Sequence, residues 1–123
     1  MILLGDEFIT CENTSKIDDI SHISSTKANS TLLFTYNLEL LKYCHNNTLP
    51  FGVKVNDIKE LIYASQFGAK YLICKQDMVQ SAQKIAENYM FDAKILLIIE
   101  NSDEIVWVAQ NEIDGAIYNT LIS

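Results

Sequence analysis

The residues best suited to chemistry in this chain stand where short apolar stretches end. Lys75 follows the apolar run 71–74, and Glu100 follows the apolar run 95–99. If these runs are neighbouring parallel strands, an amine and a carboxylate lie together at the carboxyl edge of the sheet, where parallel βα folds hold their sites. Such a pair can transfer protons or form a Schiff base with a carbonyl compound. The alternative is a solvated ion pair, which contributes less than about 1 kcal/mol to stability.

Polar side chains near the ends of other predicted strands are candidates for binding a small molecule. These candidates are Tyr36, Asn37, Asn56 and Asn119. Lys54 also lies near a strand end, but it stands between two valines and points to the opposite face. We therefore expect its side chain to extend into solvent or to pair at an edge. A small-molecule sensor with its site at these strand ends is one hypothesis for the function.

The chain lacks the motifs that usually hold nucleotides or metals. It contains neither G-x-G-x-x-G nor G-x-x-x-x-G-K-[ST]. His22 and His45 are far apart in the sequence, and the adjacent side chains of Cys44 and His45 would point about 100° apart on a helix. We therefore predict neither a cofactor nor a metal site.

The acidic composition argues against two classes of partner. The 123 residues include 16 acidic and 9 basic ones, all of the latter lysine, and the net charge is −7. Arginine is the preferred reader of phosphates and base edges, so its absence argues against nucleic acid and against anionic membranes. The run 95–99 is far shorter than the about 20 apolar residues that span a bilayer. Three cysteines without a C-x-x-C pair, and no basic N-terminal segment, favour a cytoplasmic location.

Length and patterning predict a single α/β domain over residues 1–123. In residues 1–30 we expect a strand at Ile2–Leu4, a helix capped by Ser15, and the polar loop 24–30. Residues 31–123 alternate between apolar runs and amphipathic segments. The predicted strands there are 31–36, 51–55, 71–74, 95–99 and 116–118. Such βα units build parallel sheets with right-handed crossovers, so we expect five to six parallel strands.

Four amphipathic helices are predicted between these strands. The third is expected to run from Asp77 to about Tyr89, and the expected N-caps of the others are Asn37, Asn56, and Ser102 or Asn101. The apolar stripes that should face the sheet are Ile58, Leu61, Ile62 and Ser65 in the second helix and Met78, Ala82, Ile85 and Tyr89 in the third. A shift of 44 positions places Gln66 on Gln110 and the run 53–55 on 97–99, so two βα units look like two more.

Two segments resemble the step from helix to strand in TIM-barrel proteins. They are Gln66-Phe67-Gly68-Ala69-Lys70-Tyr71-Leu72-Ile73 and Glu112-Ile113-Asp114-Gly115-Ala116-Ile117. The resemblance implies a parallel βα-repeat fold. Since the chain has about half the ~250 residues of a full barrel, it favours either a half-barrel that pairs with a second copy or an open flavodoxin-like sheet.

The same resemblance does not extend to a phosphate site. Residues 95–123 are similar in layout to the last two strands of phosphate-binding barrels, whose following loops are rich in glycine. Here those loops read Glu100-Asn101-Ser102-Asp103 and Asn119-Thr120-Leu121, without glycine. Carboxylates around the first loop would repel a phosphate, so no phosphate site is expected.

Trp107 lies in a predicted helix that is apolar on nearly all sides. Ile105, Val106 and Val108 are its neighbours. Such a helix is either central in the core or docked against another molecule. We therefore expect a self-associating interaction or structural protein, most simply a homodimer with Trp107 at its interface. The rival hypothesis is a small lyase or isomerase of TIM-barrel descent in which Lys75 and Glu100 do the chemistry.

Overall fold

Parallel strands alternate with helices along most of the chain. The computed structural model describes all of residues 1–123. The seven strands are β1 (Ile2–Leu4), β2 (Thr14–Lys16), β3 (Thr31–Thr35), β4 (Phe51–Lys54), β5 (Tyr71–Cys74), β6 (Lys94–Ile99) and β7 (Gly115–Tyr118). The helices are α1 (Leu38–Asn46), α2 (Ile58–Gln66), α3 (Gln76–Asn88) and α4 (Glu104–Gln110). Two 3₁₀ helices, Ile20–Ser25 and Asn119–Leu121, complete the chain.

The sheet is all-parallel, curled and open. Its strand order is β1-β7-β6-β5-β4-β3-β2, so β1 and β2 form its two edges. The 3₁₀ helix Asn119–Leu121, which follows β7 directly, nevertheless contacts β2 at the far edge. The sheet must therefore curl to bring these ends together, which gives the half-barrel form expected from the resemblance.

One strand more is present than the five to six expected, and it replaces a predicted helix. Ser15 is not a helix N-cap; it lies in β2, opposite Leu32 of β3. The helical turn begins later, after Asp19, whose carboxylate accepts a hydrogen bond from the Ser21 backbone N–H. Thr14–Lys16 is short and polar, so only its pairing with β3 reveals it as a strand.

All four α-helices pack on one face of the sheet. Their buried side chains, such as Leu41, Leu61, Ala82 and Val108, belong to one core of 24 buried residues that includes the outward-facing residues of the strands. The flavodoxin-like alternative requires helices on both faces, so the winding is that of a barrel.

The inner face of the curled sheet holds a second, smaller core. It consists of Leu4, Leu33, Tyr71, Ile73, Leu96, Ile117 and Ile122. Ile122 comes from beyond the last strand and is only 3% exposed. The concave face is therefore filled by residues of the same chain.

Each α-helix ends in the same left-handed turn. The residues with positive φ are Thr48, Gly68, Met90 and Glu112. In each turn the next residue's N–H donates to a carbonyl five residues back, as in Phe91 to Ala86 and Ile113 to Val108. Gly68 and Glu112 are 44 residues apart, so the shift noted in the sequence superposes structurally equivalent positions.

The left-handed turn after α1 is occupied by a residue type that disfavours it. Thr48 has φ 53° and is exposed, and a β-branched side chain is strained in this region. We expect Thr48→Gly to raise the free energy of unfolding by about 1 kcal/mol. Chemical denaturation measures this, with Gly68→Thr as the reverse substitution that should lower it by at least as much. Equal midpoints for Thr48→Gly and the wild type would contradict the expectation.

Candidate functional site

The two main candidates follow neighbouring strands at the carboxyl edge of the sheet, but they do not form an ion pair with each other. Lys75 follows β5 and is the N-cap of α3, and Glu100 follows β6, which pairs with β5. Both residues are exposed. Neither takes part in any of the ion pairs of the structure. The side chains of Lys75 and Glu100 therefore lack the contact that proton transfer between them requires, and their catalytic role stays a prediction.

A different lysine occupies the inner side of this edge. Val53 and Val55 belong to the outer core, so the alternating Lys54 lies on the inner face, opposite Thr35 of β3 and Ile73 of β5. The Lys54 side chain is half-buried, and its amine takes part in none of the side-chain hydrogen bonds or ion pairs, although the Lys54 carbonyl accepts from the Tyr36 N–H. In the sequence, the alternation Val53-Lys54-Val55 predicts that the Lys54 side chain lies on the face opposite the two valines.

Asp6 and Tyr118 connect the ends of β1 and β7. The Tyr118 hydroxyl donates to Asp6 Oδ2 over 2.8 Å, and the Phe8 backbone N–H donates to Asp6 Oδ1 over 2.9 Å. The bond from Phe8 and then that from Tyr118 lower the pKa of Asp6. The bond to the same carboxylate raises the pKa of Tyr118. The two residues are 112 positions apart, so no local pattern predicts their contact.

The C-terminal residues lie across the same edge. The carbonyl of Asn119 accepts hydrogen bonds from the backbone N–H groups of Ile122 and Ser123. Leu121 packs against Gly5, where an added Cβ would lie 3.0 Å from Leu121 Cδ1. Ile122 then enters the inner core. Asn119 thus begins a cover over the inner core, and its role in ligand binding stays a prediction.

The other strand-end candidates lie on the helical side. Tyr36 is half-buried and lines a concavity of about 680 Å³ between α1 and α2, where burial raises its pKa. Asn37 caps α1 as predicted by accepting from the Leu40 N–H. Asn56 is not the N-cap of α2. That position belongs to Asp57, and the N–H of Asn56 donates to Glu60 instead. A ligand at these residues stays a prediction.

A large concavity lined mostly by apolar residues lies between α2 and α3 and is called here the α2–α3 groove. It measures about 820 Å³. Its lining includes Ile62 and Ser65 of α2, Ile85 of α3, the turn Tyr89–Asp92, and the buried alanines Ala69 and Ala93. Tyr89 and Met90 are 76% and 84% exposed at its rim. Apolar surface that is both concave and exposed is characteristic of binding surfaces.

The equivalent groove between α3 and α4 has the opposite character. It measures about 330 Å³ and contains no apolar residue. Gln80 Nε2 donates to Asn111 Oδ1 across it over 2.8 Å. Two grooves between equivalent helices therefore differ: the α3–α4 groove is lined by polar residues alone, as expected of a solvated surface, and the α2–α3 groove is lined mostly by apolar ones.

Trp107 is half-buried against the outer core. It also lines a small concavity with Gln76, Asn101 and Glu104. Val106 is the strongly exposed apolar residue of α4. The larger exposed apolar surface thus lies on α2 and α3, and Trp107 as an interface residue stays a prediction.

The start of α4 also differs from expectation, because Asp103 precedes it and the Glu104 carboxylate accepts from the N–H groups of Glu100 and Asn101.

A polar cluster closes the opposite, amino edge of the sheet. The Glu12 carboxylate accepts hydrogen bonds from the hydroxyls of Thr31 and Tyr71 and pairs with Lys70 Nζ at 2.7 Å. Partial burial opposes the ionisation of Glu12, but the hydrogen bonds from Lys70, Thr31 and Tyr71 outweigh it and hold its pKa below the ordinary value. Burial and the bond to Glu12 raise the pKa of Tyr71. Glu12 thereby ties the segment between β1 and β2 to the sheet.

The three cysteines differ sharply in accessibility. Cys11 is exposed, whereas Cys44 and Cys74 are buried and all three are unpaired. Burial raises the pKa of Cys44 to about 11 and that of Cys74 to about 12. Because the thiolate is the reactive form, we expect a thiol reagent to label one cysteine in the native protein and three after denaturation. Fast labelling of all three under native conditions would contradict the buried positions.

No three histidine, cysteine or acidic side chains converge in a way that would hold a metal ion. None of the helices is both long and apolar enough to cross a bilayer. No protein-family model matches the chain, and no curated protein matches its sequence. The geometry of the molecule is therefore the basis for a functional proposal.

Proposed function

We propose that the chain is a self-associating interaction or structural domain of the cytoplasm that forms a homodimer. The observation that carries this proposal is the exposed apolar surface on α2 and α3. Ile62, Tyr63, Tyr89 and Met90 are all exposed there, beside concavities on both sides of α2. The polar groove between α3 and α4 provides the contrast within the same molecule. Burying such apolar surface against a second copy gains about 25 cal/mol per Å².

Sedimentation velocity over a concentration series tests the proposal. We expect a species of twice the 13.9 kDa chain mass to dominate at micromolar concentration and to dissociate on dilution. A 13.9 kDa species throughout the micromolar range would overturn the proposal.

A lysine-dependent lyase or isomerase is the second candidate. The observation in its favour is Lys54, a half-buried amine on the inner face at a strand end that has no partner. A carbonyl substrate would condense with the Lys54 Nζ to form an imine and release water. Lys75 is the alternative nucleophile, with Glu100 on the neighbouring strand as its partner.

Borohydride trapping with a panel of keto acids and aldehydes tests this second candidate. The matched variants Lys54→Met and Lys75→Met show which amine is labelled, and peptide mass spectrometry locates the adduct. Enzymatic chemistry at Lys54 predicts selective labelling that Lys54→Met abolishes and Lys75→Met leaves intact. Labelling spread evenly over the exposed lysines, or none at all, would exclude it.

A further inference from the structure

The α2–α3 groove lies directly beside the side chains that protrude most from its rim. Ala69 and Ala93 are buried residues of its lining, and their short side chains leave room for an inserted group. Tyr89 and Met90 stand at one end, and three-quarters or more of each is exposed. A patch that carries both a depression and a projection can complement its own copy across a two-fold axis.

Met90 holds the one apolar side chain among four equivalent positions. The left-handed turn after each α-helix carries Thr48, Gly68, Met90 or Glu112. Three of these are polar or glycine, as expected for exposed left-handed residues. Met90 adopts the left-handed backbone conformation, which is unfavourable for a residue with a side chain. Its flexible thioether side chain is also exposed to solvent. Methionine adapts well to irregular apolar pockets, so this position suits insertion into a partner.

The charge distribution favours a second copy as that partner. Segments 58–70 and 83–94 contain all the residues that line the groove, and they carry four lysines and three acidic residues, a formal charge of +1. One of these lysines, Lys70, pairs with Glu12 outside the segments. The whole chain carries −7, so the rest of it carries −8. Asp92 is the only charged residue that lines the groove. This face is therefore near neutral on an acidic chain, so two copies that meet there repel each other less than the net charge of the chain implies.

The dimensions of the face also suit a dimer. Helix α3 is 13 residues long, or about 20 Å, and neighbouring helices lie about 10 Å apart. Helices α1 and α2 have nine residues each and are about 14 Å long. The surface over α1 to α3 thus measures on the order of 500 Å² in projection. Standard interfaces bury about 800 Å² of accessible surface per partner. The accessible area of a face with grooves and protruding side chains is larger than its projected area, so this face can supply that amount.

From these observations we infer that two copies dock face to face through their α2–α3 grooves, with Tyr89 and Met90 of each copy inserted into the groove of the other. This inference rests on the proposed self-association and adds to it the surface, the symmetry and the inserted residues.

Two substitutions on opposite sides of α3 form a matched pair. Ser65→Arg places a long charged side chain in the α2–α3 groove, and Gln80→Arg places the same side chain in the polar α3–α4 groove. We expect Ser65→Arg and Met90→Ser to weaken dimerisation at least tenfold by sedimentation, whereas Gln80→Arg leaves it unchanged. Circular dichroism shows whether each variant is folded.

Disulfide trapping tests the docking geometry independently of variant stability. Cys11→Ser removes the exposed thiol, and a Met90→Cys chain is then mixed with a Ser65→Cys chain under mild oxidation. We expect a cross-linked heterodimer, and none when Ser81→Cys, which faces the polar groove, replaces Ser65→Cys.

The outcomes separate the inference from the proposal on which it rests. A wild-type dimer that resists Ser65→Arg and Met90→Ser and gives no cross-link would overturn the inference alone. A monomeric wild type would overturn both. Native mass spectrometry that finds a monomer carrying an apolar small molecule, lost in Ser65→Arg, would assign the groove to a ligand and likewise overturn both.

Discussion

Gly115→Ala is expected to lower the free energy of unfolding by about 3 kcal/mol or more. A Cβ at Gly115 would lie 2.3 Å from the carbonyl oxygen of Ile2 and 2.9 Å from its carbonyl carbon. These are backbone atoms of the paired strand β1, so no rotamer change relieves the clash. The edge strand must shift away from β7, and with it Gly5 and Asp6, which contact Leu121 and Tyr118.

Gly68→Ala is the matched control for this substitution. Gly68 has φ +88°, but an added Cβ meets only His45 Nδ1, at 3.9 Å. Its cost should be the backbone strain alone, about 1 kcal/mol. Urea unfolding of both variants measures the difference. If Gly115→Ala and Gly68→Ala lower the free energy of unfolding equally, then β1 does not approach β7 as closely as it does in the structure.

Glu12→Ala is expected to lower the free energy of unfolding by about 2 kcal/mol. The substitution leaves the buried hydroxyl of Tyr71 without its acceptor, and an unsatisfied buried polar group costs about 1–3 kcal/mol. The exposed Lys70 loses a partner at little further cost. Glu7→Ala, at an exposed carboxylate in the same segment, is the control and should change stability by less than about 0.5 kcal/mol.

The contribution of Glu12 should depend on pH in a defined direction. Its folded pKa lies below the ordinary value of 4.5, so in that range the unfolded chain binds more protons than the folded one. The stabilisation is therefore complete above about pH 5 and is lost as the pH falls through the folded pKa. The stability difference between wild type and Glu12→Gln should shrink on acidification. A difference that grows there would show that Glu12 is protonated in the folded protein.

The fold was predictable where patterns are local. The strands β3 to β7 follow apolar and β-branched runs, and Asn37 and Gly68 mark a helix start and a helix end by their own chemistry. Helix faces were less predictable. Of the stripe expected to face the sheet, Ala82 is buried and Met78 and Ile85 pack partly buried against the core, but Tyr89 is exposed. The fully buried face of α3 is shifted to include Val79, Gln83 and Ala86.

Size explains this error. Alanines allow a helix to approach the sheet closely, and Ala82 and Ala86 take two of the four buried positions of α3. The bulkier Ile62 and Tyr89 remain exposed. The spacing of apolar residues in the sequence cannot distinguish such an exposed surface from a core face. Ile62 and Tyr89 of the candidate interface are thus residues that sequence reasoning assigned to the core.

Contacts between distant residues were outside the reach of the sequence. Asp6 meets Tyr118 because the N-terminal strand β1 pairs with the last strand β7, and Glu12 meets Tyr71 because the segment after β1 crosses the amino edge of the sheet. The C-terminal cover by Leu121 and Ile122 has the same origin. Such pairs carry no periodicity or spacing, and short polar strands such as β2 form only in the context of their neighbour.

Methionine oxidation footprinting over a concentration series tests the central claim most directly. Met90 is 84% exposed beside the α2–α3 groove, and Met1 is 61% exposed at the sheet edge, away from it. If two copies dock through this groove, the oxidation rate of Met90 falls severalfold from nanomolar to micromolar concentration while that of Met1 stays constant. Equal rates for Met90 at both concentrations would contradict the account.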